Sequence, residues 1–124
     1  VPRILLAEDE EPLRALIVRA LVQDGHEVIA AADGAEALEA LTREQGRFDL
    51  LLTDIKMPLM DGIALALTAA RDYPRLVILL MTAYADQRER AHGLEALIHD
   101  VIAKPFSLAE IKAAVNSALA AGRT

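Results

Sequence analysis

Leu50-Leu51-Leu52-Thr53-Asp54-Ile55-Lys56-Met57-Pro58-Leu59-Met60-Asp61-Gly62 carries an apolar run into a single carboxylate and then into a loop closed by glycine. The run reads as a fully buried strand with Asp54 at its C-terminal tip. Three other short apolar runs end in polar residues in the same way. Ile4-Leu5-Leu6-Ala7 ends in Glu8-Asp9, Val77-Ile78-Leu79-Leu80-Met81 in Thr82, and Val101-Ile102-Ala103 in Lys104-Pro105. The carboxyl ends of the strands of an open parallel sheet share one edge, and ligands bind in the crevice outside it. Such a sheet would gather three carboxylates, a hydroxyl and an ammonium in one crevice.

The runs alternate with amphipathic segments, the pattern of repeated βαβ units with helices on both faces of the sheet. Five strand–helix pairs are predicted. The first strand is Arg3–Ala7, and its helix opens at Pro12, with Leu13, Leu16, Ile17, Ala20 and Leu21 on one stripe, and ends at Asp24-Gly25. The second strand is Glu27–Ala31; Asp33 caps the next helix, Glu36 can reach back, and the helix runs to about Glu44. After the third strand comes a helix from about Ile63 to Asp72, stopped near Tyr73-Pro74. The fourth strand starts at Val77, and the spacing of Ala91, Leu94, Leu97 and Ile98 predicts a polar helix from Asp86 to about Leu97. The fifth strand is Asp100–Ala103. Ser107-Leu108-Ala109-Glu110 is a capping box, and Leu108, Ile111, Val115 and Leu119 form the buried stripe of the last helix. The predicted organisation is one domain over residues 1–121, with residues 122–124 as a frayed tail.

The 124 residues, 54% of them apolar, suffice for one domain with a sizeable core. A net charge of −6 without a Lys/Arg block argues against nucleic acid or an anionic membrane as the domain's main partner. No apolar stretch reaches the roughly 18 residues of a membrane span, and no signal core opens the chain, so a cytoplasmic location is expected. The absence of cysteine leaves only oxygen and imidazole ligands for a metal.

Ionised together in one crevice, Glu8, Asp9 and Asp54 would repel one another, and a divalent cation would relieve that repulsion. Mg²⁺ suits the site, because it accepts one or two carboxylates, keeps several waters and leaves room for phosphate oxygens. With Lys104 the ion brings three positive charges to three negative ones. A carboxylate can attack phosphorus to give an acyl phosphate, and such transfers rest mostly on positioning and charge stabilisation. Asp54 is the candidate nucleophile, Asp9 the direct metal ligand and Glu8 a ligand through water. Thr82 would donate its hydroxyl to a phosphoryl oxygen, and Lys104 would pair with another. An acidic residue after a strand is most often a cap or a solvated loop residue. The convergence of all five groups on strand ends carries the argument.

Taken in order, Leu-Ala-Glu8-Asp9-Glu10, Thr53-Asp54-Ile-Lys-Met-Pro58-Leu-Met-Asp61-Gly62, Met-Thr82-Ala83 and Lys104-Pro105-Phe106 resemble the receiver domain of two-component response regulators, of the single-domain, chemotaxis-regulator-like kind. The resemblance spans essentially the whole chain. It implies a flavodoxin-like α/β fold, a doubly wound five-stranded parallel sheet of order 2-1-3-4-5 with five helices. It also implies Mg²⁺-dependent phosphoryl transfer to Asp54 from a phosphohistidine on a sensor histidine kinase or histidine phosphotransfer protein, followed by slow hydrolysis. Further implications are a cis Lys104-Pro105 bond, the Lys56 backbone carbonyl as a metal ligand, and movement of Thr82 toward the phosphoryl group. The output face would be that of the fourth helix, fifth strand and fifth helix, toward a downstream protein or a second copy. The chain departs from the family where Val101 replaces an aromatic residue that turns inward, and where Leu97 takes the place of a glycine. Leu97 and Ile98 either pack inward, as burial statistics favour, or form a partner-specific patch.

Lys56 and Tyr84, each two residues past a site residue, would flank the phosphoryl group and set its lifetime. His26, His92 and His99 share no spacing and read as solvated or capping. Among other functions, an aspartyl-phosphate phosphatase of the haloacid dehalogenase type needs an acid where Lys56 stands. A flavin or dinucleotide binder needs a glycine-rich loop where Glu8-Asp9-Glu10-Glu11 stands. A phosphate-independent interaction module is favoured by Val101 and opposed by the intact acidic set. Val1 in place of an initiator methionine fits either processing or a boundary within a larger regulator.

Overall fold

Alternate residues of β1 (Arg3–Ala7) enter different cores. Leu5 and Ala7 join one apolar cluster and Ile4 and Leu6 the other, and all four are fully buried. The same division holds in β3 (Leu50–Asp54), where Leu51 is on the first side and Leu50 and Leu52 on the second. It recurs in β4 (Val77–Thr82), with Ile78 and Leu80 opposite Leu79 and Met81. A strand buried on both faces has no polar side to spare, which is why these segments read as unbroken apolar runs. The structure is a computed structural model that describes residues 1–122, except for the side chains of residues 85–87.

With β2 (Glu27–Ala31) and β5 (Asp100–Ala103) at the edges, the described strands form one parallel sheet of order β2-β1-β3-β4-β5. On one face α1 (Glu11–Gln23) supplies Ile17 and Leu21, and α5 (Leu108–Ala121) supplies Ile111, Val115, Ala118 and Leu119. On the other, α2 (Gly34–Arg43) and α3 (Gly62–Asp72) bring Ala37, Leu41, Leu65, Ala66 and Ala69, and α4 (Ala85–His92) brings Ala91. The caps expected at Asp33 and Ser107 form, and Asp61 adds another. Asp33 accepts from Glu36 N–H, Asp61 from Ala64 N–H, and Ser107 and Glu110 make both bonds of the capping box.

Several expectations are corrected. The first helix starts at Glu11, one residue before Pro12. Leu16 is 47% exposed; at about 100° per residue it lies well round the helix from neighbouring Ile17, at the edge of the buried arc. Leu108 is 43% exposed, because the first turn of α5 begins above the carboxyl edge of the sheet. The fourth helix ends at His92, not Leu97. Beyond it, Leu94 N–H bonds Ala91 O, and Leu94 O accepts from both Leu97 and Ile98 N–H, so mostly tighter turns continue the apolar spacing without a regular α-helix. Ile98 packs on the core while Leu97 is half-exposed, which divides the two outcomes considered for that pair. His26, expected to be solvated or capping, has both ring nitrogens buried and without a hydrogen-bond partner among the described residues. His92 faces Glu95 and His99 faces Ser117. Gly122 closes α5 with its N–H on Ala118, and Arg123 and Thr124 lie outside the described residues.

Gly62 fixes the loop after Asp54. Its N–H donates to Ile55 O at 2.7 Å, and a Cβ there would overlap the Asp54 carbonyl. Backbone cannot yield as a flexible side chain can, so Gly62→Ala is expected to cost about 3 kcal/mol, the upper part of the overpacking range. Gly93→Ala, where an added Cβ meets nothing within 4 Å, should be neutral or stabilise by up to about 1 kcal/mol. Urea denaturation of both variants checks the contrast, and equal costs would contradict the packing argument.

Candidate functional site

In this strand order the chain leaves β1 toward one edge and returns at β3 to build the other, so the crevice opens above the carboxyl ends of β1 and β3. Asp54 is the last residue of β3 and Thr82 the last of β4; Glu8 follows β1 and Lys104 follows β5. Main-chain bonds carry the ladder one step further on three strands. Glu8 N–H donates to Ala31 O, Ile55 N–H to Met81 O, and Lys104 N–H to Thr82 O. The side chains therefore leave from backbone that is already fixed.

Lys104 lies between two buried carboxylates, its Nζ 2.7 Å from Glu8 Oε1 and 3.0 Å from Asp54 Oδ2. Glu8 is fully buried and Asp54 is 7% exposed, whereas Asp9 is exposed. Oxygens of Glu8, Asp9 and Asp54 all lie within 4.8 Å of one another. This all-oxygen trio, with one exposed member, fits a hard divalent cation that retains water. The other Glu8 oxygen accepts from Glu10 N–H at 3.0 Å, and Arg14 Nη1 holds the Glu8 carbonyl at 2.9 Å.

Burial pushes the Asp54 carboxyl above its usual range, and nearby Asp9 adds to this; Lys104 opposes the rise without overcoming it. Glu8 is raised for the same first reason, with Asp54 as the neighbouring negative charge. For Lys104, burial alone would lower the pKa, but the bonds from its ammonium to Glu8 and Asp54 outweigh that and raise it. Without a cation the crevice holds more negative charge than it can solvate.

Thr82 does not face Asp54 freely. Its Oγ1 donates to Tyr84 O at 3.2 Å and accepts from Tyr84 N–H at 3.1 Å, which ties it to the residue that precedes α4. Lys56 and Tyr84, picked out separately in the sequence, meet: Lys56 Nζ lies 4.9 Å from the Tyr84 ring centroid, within cation–π range. Lys104-Pro105 is cis. Val101 is half-buried and, with Ala91 and Ile98, lines a cleft of about 180 Å³ between α4 and β5.

Two contributors escaped the sequence reading. Arg14, which holds the Glu8 carbonyl, carries no signal beyond its place one turn into α1. Asp61 was read only as part of the loop motif, yet besides capping α3 it pairs with Arg90 Nη2 at 2.9 Å and so links the loop after Asp54 to α4. Burial acts to raise its pKa, but the bonds from Ala64 N–H and Arg90 prevail and hold it below the usual carboxylate range.

The family model of the response regulator receiver domain matches residues 4–116, and the chain belongs to that family. Among curated relatives, the transcriptional regulatory protein PrrA of Mycobacterium tuberculosis is 39% identical over 119 residues, 95% of this chain and 50% of PrrA. The transcriptional activator protein PfeR of Pseudomonas aeruginosa is 38% identical over 95% of this chain and 38% of its own length. The chain thus spans about half or less of these relatives. Among solved structures, the non-phosphorylated HemR receiver domain of Leptospira biflexa superposes with a TM-score of 0.85 at 35% identity, covering 96% of this chain and 94% of that one. The response regulator TrrA of Thermotoga maritima, solved in complex with Mg²⁺-BeF, gives 0.83 at 30% identity, covering 95% and 99%. The flavodoxin-like receiver fold is established by these matches together with the strand order.

The raised carboxyls have a consequence for stability in the metal-free protein. A folded pKa above the unfolded one means that the folded state binds the extra proton between the two values, so stability falls as pH rises through that window, above the ordinary carboxylate range of about 4. The Lys104 contribution persists below its unfolded value of 10.5 and is lost only as pH rises through its higher folded value. In EDTA, Asp54→Asn is expected to be more stable than the native chain at pH 7 and to converge with it toward pH 4. Urea midpoints across that range test this, and a constant difference between the two proteins would refute it.

Proposed function

We propose that the chain is a phosphoacceptor switch. Asp54 accepts a phosphoryl group from a phosphohistidine on a sensor histidine kinase or histidine phosphotransfer protein, and the change alters partner binding. The observation that carries this reading is the buried Lys104 ammonium bonded at once to Glu8 and Asp54, in a crevice whose three carboxylates fit a cation. TrrA, in complex with Mg²⁺-BeF, supports Mg²⁺ as that cation.

An Asp54 carboxylate oxygen attacks phosphorus, the bond from phosphorus to the donor imidazole nitrogen breaks, and its electron pair leaves with the imidazole. Lys104 favours the ionised form of Asp54 for attack and would then hold a phosphoryl oxygen as a point charge. Asp9 and Asp54 would hold Mg²⁺ directly with the Lys56 carbonyl, and Glu8 through water. When bound, the ion neutralises charge on the phosphoryl oxygens. Thr82 would exchange its bonds to Tyr84 for one to a phosphoryl oxygen, which alters the entry to α4. Receiver domains are generally not turnover enzymes, and this chain would promote only its own phosphorylation and dephosphorylation. Output would run through the α4, β5 and α5 face to a downstream protein or a second copy, with Val101 and its cleft in place of an inward-turning aromatic. Nucleic acid and membrane have no direct part in this reading, and the site would act in the cytoplasm. No described helix is long and apolar enough to cross a membrane.

Intact mass after incubation with acetyl phosphate provides the test. A single-phosphate shift that requires Mg²⁺ and disappears in Asp54→Asn is expected; no shift with acetyl phosphate or a phosphorylated kinase would favour a phosphate-independent module. The Lys56–Tyr84 contact would shield the phosphoryl group from water. Replacing both residues with serine is expected to speed dephosphorylation several-fold, by more than the two single changes account for if the contact acts as a unit. An unchanged decay rate would remove that role.

A further inference from the structure

Leu59 occupies a backbone geometry that its residue type disfavours. Its φ is 69°, and Met60 N–H donates to Pro58 O at 2.8 Å across it, closing a three-residue turn with positive φ at its centre. This is the strained hand of the γ-turn, a conformation in which glycine and asparagine are the economical residues. The same side chain is 85% exposed, and every other described leucine is less than half exposed. Neither packing nor backbone preference therefore accounts for leucine at this position. A strained, exposed apolar side chain points to a ligand that covers it.

The rest of the loop is rigidly seated. Ile55 is fully buried and Met57 nearly so, while Met60 packs against the core and lies beside Ala35 and Leu38 of α2. Gly62, bonded to Ile55 and pressed on the Asp54 carbonyl, brings the loop back to the phosphoacceptor. Leu59 is three residues from Gly62, a reach of at most about 11 Å. A standard protein interface covers roughly 800 Å² per partner, a disc of about 16 Å radius. A protein whose interface is centred on Asp54, which is 7% exposed, covers this loop tip. A small phosphodonor does not.

Building on the phosphoacceptor reading, we propose that Leu59 is an apolar anchor for the protein that donates the phosphoryl group. It sets affinity for that donor and takes no part in the transfer itself. The strained turn fixes the side chain outward, so that little freedom is lost on docking.

The test uses two donors, acetyl phosphate and whichever autophosphorylated sensor kinase of a purified panel labels the native chain fastest. For Leu59→Gly, burial of a leucine side chain predicts a KM for the kinase about tenfold or more higher. The maximal transfer rate, the acetyl phosphate rate and the melting temperature should be maintained. Leu59→Met, which keeps an apolar side chain, should retain a near-native KM. An unchanged KM in Leu59→Gly overturns the proposal and points to a downstream partner or a second copy as the occupant. A joint fall in both donor rates also overturns it, since the loop would then be positioning Asp54. Labelling of the native chain by acetyl phosphate but by no kinase counts against the donor anchor alone. Labelling by neither donor overturns the phosphoacceptor reading, and this inference with it.

Discussion

The buried ammonium of Lys104, bonded to Glu8 and Asp54, is the interaction on which the rest of the site depends. It joins the ends of β1, β3 and β5, which are far apart in sequence and not all adjacent in the sheet. Removing Lys104 would leave two buried carboxylates without their counter-charge, at a cost of about 3–5 kcal/mol, whereas removing Asp54 leaves the lysine paired with Glu8. Even intact, the cluster is not self-sufficient: burial raises both carboxyls despite the lysine. With three carboxylates and one ammonium the site is two positive charges short, a deficit that a divalent cation makes up. Function and local instability come from the same arrangement.

The opposite edge of the sheet shows how such a cost is met elsewhere. Arg3 bonds Glu27 and Glu44, its side chain also bonds the Arg47 carbonyl, and its guanidinium lies over the Phe48 ring. Asp49 in turn accepts the Arg3 backbone N–H at 2.7 Å. These contacts join β1, β2, the end of α2 and the entry to β3. The amino-terminal edge is a satisfied network, and the carboxyl edge is an unsatisfied one. The length of the buried strands separates them, so the site can change its charge without disturbing the network at the other end.

Around the site, Ala91 is the buried residue among the described side chains of α4. The helix receives the Thr82 hydroxyl's bonds at the residue before it, and takes the Asp61–Arg90 ion pair from the loop after Asp54. Both links originate beside the Asp54 crevice, and a helix with few buried contacts responds to small changes at its ends. The cleft beside Val101 adds free space on the same face. A large aromatic side chain is absent there, and the Thr82–Tyr84 bonds and the Asp61–Arg90 pair are contacts that tie the crevice to α4.

Much of this was readable from residue order. Unbroken apolar runs ending in Glu8, Asp54, Thr82 and Lys104 imply buried parallel strands, and parallel strands must share their carboxyl edge. The caps at Asp33 and Ser107 are local chemistry and were readable for the same reason. The periodicity of Leu94 and Ile98 was real, but it could not distinguish an α-helix from successive tighter turns that bury the same positions, so the end of α4 was misread. Side-chain pairing lay wholly outside sequence reach. The order of residues does not state that Lys104 bridges two carboxylates, that Arg14 reaches the Glu8 carbonyl, that Lys56 meets Tyr84, or that Leu59 is turned outward. Sequence determined the strands and which residues stand at their ends, because burial and backbone hydrogen bonding act along the chain. Tertiary structure alone decided which charges touch and which are buried, because distance and desolvation are set by neighbours that the chain reaches only on folding.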